Sequence, residues 1–325
     1  MKEEDLIAYL LSQKGQKALD EGIGDDCAIL VGKGGYTLLT TDALVEGVHF
    51  DRRYFSAYFL GRKLAVVNLS DMAAMGGCPQ AALLTLGLPS PPEPAWVQEF
   101  FQGLLSRLGE FGAKLVGGDT VRNPGGIFLN LSLVGHATWA PVRRDKARPG
   151  EIIFVSRPLG ASAAALELLQ KGVSCPDPLI QAHLDPEPEL LLGQALAQKQ
   201  LISALIDISD GLALDLKRLC RASGVGAILF EESIPFHPLL SGLSLEAPPL
   251  HYALFGGEDY ALLFTSPPAS QDQLTNLTSS LGRILFPVGR ICAETGLWLK
   301  TRHGDQIPLD AKGFDHFAFG HKPSS

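Results

Sequence analysis

The aspartates of this chain do not lie where a solvated surface would put them. Five clusters sit where apolar segments end in glycine or turn residues: Gly22-Ile23-Gly24-Asp25-Asp26, Thr40-Thr41-Asp42, Asn68-Leu69-Ser70-Asp71, Gly117-Gly118-Asp119-Thr120 and Asp207-Ile208-Ser209-Asp210-Gly211. A sixth, Gly256-Gly257-Glu258-Asp259-Tyr260, has the same character. Singly, each reads as a turn or a helix cap, and Asp210 and Ser70, ahead of helical patterns, invite the cap. Together they resist that reading, because their neighbours are Ile, Leu, Val, Ala and Gly rather than lysine and glutamate. The segment Ala204-Leu205-Ile206-Asp207-Ile208-Ser209-Asp210 closes an otherwise apolar strand with two carboxylates. Buried carboxylates without arginine partners protonate or bind cations. Basic candidates are few: Arg62, Lys63, Arg122 and the arginines near position 144. Aspartates with threonine and serine hydroxyls suit a hard cation such as Mg²⁺, which takes oxygen ligands and shares them with phosphates. The expectation is a magnesium and phosphate site, hence phosphoryl transfer.

Composition narrows the setting. At ~100–200 residues per domain, the 325-residue chain makes two domains or one large one. Hydrophobic residues at 46% and charged residues at 19% provide a core and argue against disorder. A formal net charge of −8 disfavours nucleic acid, whose phosphates select basic proteins. The start, Met1-Lys2-Glu3-Glu4-Asp5, is acidic where a signal peptide is basic. No apolar run approaches the ~18 residues of a membrane span, so no membrane partner is expected. Five scattered cysteines (Cys27, Cys78, Cys175, Cys220, Cys292) without a C-x-x-C spacing fit neither a disulfide framework nor a zinc cage. They fit a reducing cytoplasm.

Strands and helices alternate along the chain. Segments 36–41, 80–88 and 126–136 are β-rich, Leu64, Val67, Asp71 and Met75 share a helical face, and Trp96 to Phe111 form an amphipathic helix after Pro94. After the basic, proline-bounded stretch 140–150, strands are expected at 151–156, 205–208, 225–230 and 260–265, with helices at 161–170 and 211–222. This predicts two α+β domains, over 1–138 and 139–325. No tandem repeat is present. The common nucleotide signatures are missing as well: no G-x-x-x-x-G-K-[ST] loop, no H-R-D loop and no G-x-G-x-x-G after a strand.

The six clusters, with Glu46-Gly47-Val48-His49-Phe50, Ala65 to Gly76, Asp215-Leu216 and Gly313-Phe314-Asp315-His316-Phe317, resemble the thiamine-monophosphate kinase family in order and spacing, from about residue 20 to residue 317. The aspartate elements alone resemble the wider aminoimidazole-ribonucleotide synthetase-like superfamily of ATP enzymes. The His49-Phe50, Glu258-Asp259-Tyr260 and Phe314 to Phe317 elements favour the thiamine enzymes. The resemblance implies an α/β (α+β) two-domain fold, whose N-terminal domain pairs across a homodimer into a β-barrel while the C-terminal α/β domain closes the active site. It implies transfer of the ATP γ-phosphate to thiamine monophosphate with several Mg²⁺ ions. The implied metal ligands are Asp26, Thr40, Thr41, Asp42, Asp71, Asp119, Asp207 and Asp210. The implied ATP contacts are Gly118, Asp119, Ser209 and Arg144, the last beside an equally placed Arg143. His49, Glu258 and Phe314 would meet the thiamine phosphate, and strand alternation would send Glu258 and Asp259 to opposite faces.

The acceptor is a phosphate monoester already ionised at neutral pH, so no general base is expected. Two rivals stand beside this reading. One is another ATP enzyme of the superfamily, such as a purine-pathway or selenophosphate synthetase, the latter needing a reactive thiol. The other is a non-catalytic nucleotide-binding dimer, from which some metal aspartates would be missing; none is missing here.

Overall fold

The computed structural model describes residues 3–12, 24–32 and 34–311. Helix α1 (Glu3–Ser12) precedes a first unit of strands β1 (Ala28–Gly32), β2 (Gly35–Val45), β3 (Cys78–Leu88), β4 (Lys114–Arg122) and β5 (Phe128–Ala137), with helices α2 (Ala57–Ala74) and α3 (Pro94–Glu110). The five strands form an open sheet in the order β1-β2-β5-β3-β4. Residues 138–151 contain neither helix nor strand. A seven-stranded sheet follows, built from β6 (Ile152–Val155), β7 (Ala204–Ile208), β8 (Gly226–Phe230), β9 (Ala261–Ser266), β10 (Phe286–Cys292), β11 (Leu297–Lys300) and β12 (Gln306–Pro308) in the order β12-β11-β8-β10-β6-β9-β7. Its helices are α4 (Ala161–Gln170), α5 (Asp177–Leu184), α6 (Leu190–Lys199), α7 (Leu212–Ser223), α8 (Pro249–Phe255) and α9 (Gln271–Ser280).

Alternation decides the faces of the first sheet. Along β2, Leu38, Thr40 and Leu44 are buried while Thr37 and Thr41 are exposed. The buried face packs on α2, which is apolar almost all round and buried from Leu60 to Ser70, as a helix enclosed on every side must be. Helices α2 and α3 touch backbone to backbone. A Cβ on Gly61 would stand 2.2 Å from the Phe100 carbonyl oxygen, and one on Gly103 would stand 1.9 Å from that of Tyr58. Only glycine permits that approach. The core around α2 also takes in Leu205 of β7 and Phe264 of β9, so both sheets share it. In the second unit, α7 turns Leu212, Leu216 and Leu219 onto Ile206, Ala227 and Leu263 while Lys217 stays exposed.

The strands and helices expected from the sequence all overlap observed elements, and the two α/β units follow in the expected order. Several local readings change. Gly117-Gly118-Asp119-Thr120 lies inside β4, not in a turn, and Thr40-Thr41-Asp42 lies within β2 rather than at its end. Ser70 is interior to α2, whose cap is Ser56, its hydroxyl accepting from the Phe59 N–H at 3.3 Å. Asp210 is no cap either: Gly211 occupies that position without a side-chain bond. The first sheet is open in the single chain, with β1 and β4 at its edges. No helix among the described residues is long and apolar enough to cross a membrane.

Candidate active site

Four aspartates from distant segments meet where the two sheets adjoin. Asp26 precedes β1, Asp42 lies on the α2-facing side of β2, Asp71 on α2 and Asp207 near the end of β7. One carboxylate oxygen from each of Asp26, Asp71 and Asp207 falls within 4.8 Å of the others. The Thr40 hydroxyl donates to Asp71 in a short hydrogen bond. The Asp42 carboxyl neighbours that of Asp71 within hydrogen-bonding reach. Ser70 Oγ donates to Asp207 Oδ2 at 2.5 Å.

The cluster is short of positive charge. Arg144 Nη2 donates to Asp26 Oδ1 at 2.6 Å, and its backbone N–H to Asp25 Oδ1 at 2.9 Å. Arg143 reaches Asp25 instead, at 3.2 Å. Burial lifts the Asp26 carboxyl to about 6 against the pull of Arg144, and lifts Asp42 to about 6. Burial, then the neighbouring carboxylates, drive Asp71 and Asp207 well above the ordinary range. Asp26 Oδ2 is buried with no hydrogen-bond partner. An oxygen-only donor set, an excess of carboxylates and an unpartnered buried oxygen fit hard dications. The residues present would hold Mg²⁺ through Asp26, Asp42, Asp71 and Asp207, with Thr40 beside them.

Other expected residues lie around or away from this centre. Asp210 stands at the margin, where Arg218 Nη1 donates to its Oδ2 at 2.5 Å and to Asp215 Oδ1 at 2.7 Å. Asp215 Oδ2 accepts the backbone N–H groups of Ser209 and Asp210 at 3.1 and 3.0 Å, closing the start of α7 from within its first turn. Thr41 points to the open face of the sheet, bonded to Asn130 and Ser132. Asp119 is exposed and in register with Thr85, which pairs with Asn130, so it too lies away from the Asp42 row. Gly118 aligns with Leu84, and a Cβ there would stand 1.9 Å from the Leu84 carbonyl oxygen.

A second polar region adjoins the first, because the Glu258 N–H donates to the Ser209 carbonyl at 2.7 Å. Residues 256–260 are irregular rather than a strand, with φ of 65° at Glu258 and 47° at Tyr260. Glu258 and Asp259 do part company, but left-handed backbone rather than strand alternation separates them. Asp259 accepts the Gly160 N–H with both oxygens, at 3.0 and 2.8 Å, at the start of α4. The Glu258 carboxylate meets Lys63 Nζ at 3.2 Å and His183 Nδ1 at 3.4 Å. Burial lowers His183 to about 4, so its ring is neutral at pH 7. His49 Nδ1 accepts the Val45 N–H at 3.0 Å. Phe314 lies outside the described residues.

Sequence reasoning passed over His183 and Arg218, and gave no site role to Lys63, named only among the scarce basic residues, or to Asp215, named only within the family motif. A signal existed for Lys63, a lysine inside the apolar run Leu60 to Val67, and for Asp215, an acid on the buried face of α7. His183 carries no local mark.

Comparison with known proteins gives a coherent result. The model of the AIR synthase related protein N-terminal domain matches residues 24–137, and that of its C-terminal domain matches residues 148–300. The chain is 38% identical to thiamine-monophosphate kinase of Escherichia coli K12, across 97% of this chain and 98% of that protein. It is 32% identical to the Bacillus subtilis enzyme of the same name, across 98% and 100%. A solved structure described as AaThiL complexed with AMPPCP and TMP superposes with a TM-score of 0.83 at 34% identity, covering 97% of this chain and 96% of that one.

Proposed function

The chain belongs to the thiamine-monophosphate kinases of the AIR synthase related family, and on that premise we infer that it transfers the γ-phosphate of ATP to thiamine monophosphate, giving thiamine diphosphate and ADP. The observation that carries the reading is the convergence of Asp26, Asp71 and Asp207 within 4.8 Å, from three separate segments. An acceptor that is already an anion presents no proton to remove; the barrier is repulsion between two phosphates and their alignment. Mg²⁺, when bound, neutralises phosphate charge and relieves carboxylate crowding.

We assign the chain's residues accordingly. Asp26, Asp42, Asp71 and Asp207, with Thr40 and the marginal Asp210, would hold the dications. Arg144, which pins Asp26, and Ser209, Gly118 and Asp119 would meet the nucleotide. Thr41 and Asp119 face the open side of the sheet, and a role for them in the metal set requires the partner of a dimer or a shift of β4. Glu258, His49 and Phe314 would meet the thiamine moiety. The division into 1–138 and 139–325 is supported by the irregular segment between the sheets. A homodimer closing the first sheets into a barrel is supported by the exposed edge strand β4, where Val116 and Val121 are uncovered. A cytoplasmic location is supported by five free cysteines.

Cys27 speaks against a thiol-dependent synthetase. It is buried, and burial together with Asp71 pushes its thiol well above the ordinary range, the reverse of an activated nucleophile. The deciding experiment offers thiamine, thiamine monophosphate and aminoimidazole ribonucleotide precursors in parallel with ATP and Mg²⁺. Only thiamine monophosphate should be consumed. Comparable turnover of free thiamine would overturn direct transfer to a phosphate, and turnover of a purine precursor would move the chain to a sister activity.

A further inference from the structure

Lys63 is 1% exposed, deep in α2, yet each direction open to its ammonium is occupied. It donates to the His183 carbonyl at 2.8 Å, pairs with Glu258 Oε1 at 3.2 Å, and lies 5.0 Å from the centre of the Tyr260 ring. A buried ammonium is tolerated only when so satisfied. Glu258 in turn adopts a φ of 65°, a conformation costly for a residue with a side chain, and the lysine lies where that turn delivers the carboxylate. The other carboxylate oxygen faces His183 Nδ1 at 3.4 Å, and Ser162 Oγ lies 3.0 Å from the same nitrogen. Phe55 packs edge-on against the His183 ring at 5.4 Å. Glu258 remains partly exposed while Lys63 and His183, which hold its two oxygens, are buried, so the side chain stands at the edge of that buried group on a fixed base.

We propose that Lys63 is a positioning residue for the acceptor: it fixes the partly exposed Glu258 carboxylate as the group that receives the thiamine moiety of thiamine monophosphate. The inference rests on the reading of Glu258 as a substrate contact and adds a residue that touches only its far side. Burial alone would raise the Glu258 carboxyl, but the Lys63 ammonium is the largest influence against it and the carboxyl lies below the ordinary range. The carboxylate is thereby an acceptor of fixed direction rather than a loose charge.

The test titrates thiamine monophosphate and a non-hydrolysable ATP analogue separately into full-length Lys63→Met, Glu258→Gln and the double variant. Glu258→Gln should weaken thiamine monophosphate about tenfold, the scale of a lost charged hydrogen bond. Lys63→Met should weaken it comparably, and the double variant no more than either, because both changes remove one arrangement. Affinity for the ATP analogue should stay within about twofold, since a purely structural loss would damage both sites. The KM for thiamine monophosphate should rise more than kcat falls. Folded Lys63→Met with wild-type affinity, or losses that add in the double variant, would overturn the role of Lys63. Unchanged affinity in Glu258→Gln would instead overturn the substrate reading of Glu258, a separate result. If Lys63→Met does not fold, Lys63→Arg serves: it keeps the charge but displaces the carboxylate, and should lose acceptor affinity alone. Retained acceptor affinity in Lys63→Arg would overturn the proposal.

Discussion

The two polar regions of this molecule are opposites in charge economy. Around Glu258, cation and anion are matched inside the fold, with Lys63, the neutral His183 and the Tyr260 ring filling the space. Around Asp71, four carboxylates crowd together and Arg144 pairs directly with Asp26 alone among them, two being lifted to about 6 and two well beyond the ordinary range. The first arrangement is complete without a ligand. The second is not: Thr40, Ser70 and Arg144 each satisfy part of one carboxylate, and the crowding that remains is unrelieved. A group built for recognition can be finished by folding, whereas a group built to gather cations resists full ionisation until those cations arrive.

The largest effect should come from Asp71→Asn, which keeps shape and removes charge at the centre of the crowded region. Turnover should fall by about 10²-fold or more, the scale of losing a charge that stabilises a transition state. The metal-free protein should melt at the same temperature or higher, because like charges are relieved. The rise in melting temperature with ATP and Mg²⁺ should shrink. A lower metal-free melting temperature with near-normal kinetics would make Asp71 a structural residue and erase the contrast.

A smaller effect should follow pH. Asp26 and Asp42 have carboxyls at about 6 in the fold against an ordinary 3.8. Between about pH 4 and pH 6 the folded chain therefore binds more protons than the unfolded one, so stability is highest at the acid end and falls as pH rises through 6. The two carboxyls should together remove about 4 kcal/mol across that window, and His183, lowered to about 4, should return about 2 kcal/mol. Calorimetry of metal-free protein should therefore show a net loss of about 1–3 kcal/mol. Adding ATP and Mg²⁺ should flatten the slope. A metal-free profile that is flat, or that rises across the window, would break the contrast between the regions.

The smallest effect should be that of Cys27→Ser. The thiol is 1% exposed beside the aspartates and fills space there. Turnover should stay within about twofold, and the fold should lose about 1 kcal/mol for burying a hydroxyl in place of sulfur. Loss of activity in folded, ATP-binding protein would show that the acidic region works through a thiol.

The chemistry of the acidic region was legible because its residues break the pattern around them: an aspartate at the end of an apolar strand stands out in one dimension. Convergence was not legible. Thr40 and Thr41 read alike as neighbours, yet the pleat sends one to Asp71 and the other to Asn130. Asp119 belongs to a glycine-rich stretch that resembles a turn but folds as edge strand β4, because neighbouring β3 supplies the hydrogen bonds its local sequence does not forecast. Helices α5 and α9 are short or polar, too weak in periodicity to declare themselves before packing. Lys63 and His183 acquire meaning only through each other and Glu258, at separations of 75 to 195 residues that no local pattern encodes.

Helix α2 supplies one residue to each region, Lys63 to the Glu258 group and Asp71 to the aspartate cluster. On the proposed function these serve the acceptor and the phosphates. The two residues are separated by about 12 Å of axis at ~1.5 Å per residue. Gly61 and Gly103 seat this helix backbone to backbone on α3, and a shift by one residue would bring a side chain where only glycine fits. The helix is therefore a gauge, set at the factory, for how far the acceptor's phosphate stands from the part of the molecule that is recognised. A compound with a longer or shorter arm between ring and phosphate could satisfy one end of the gauge but not both, whatever its affinity for either end alone.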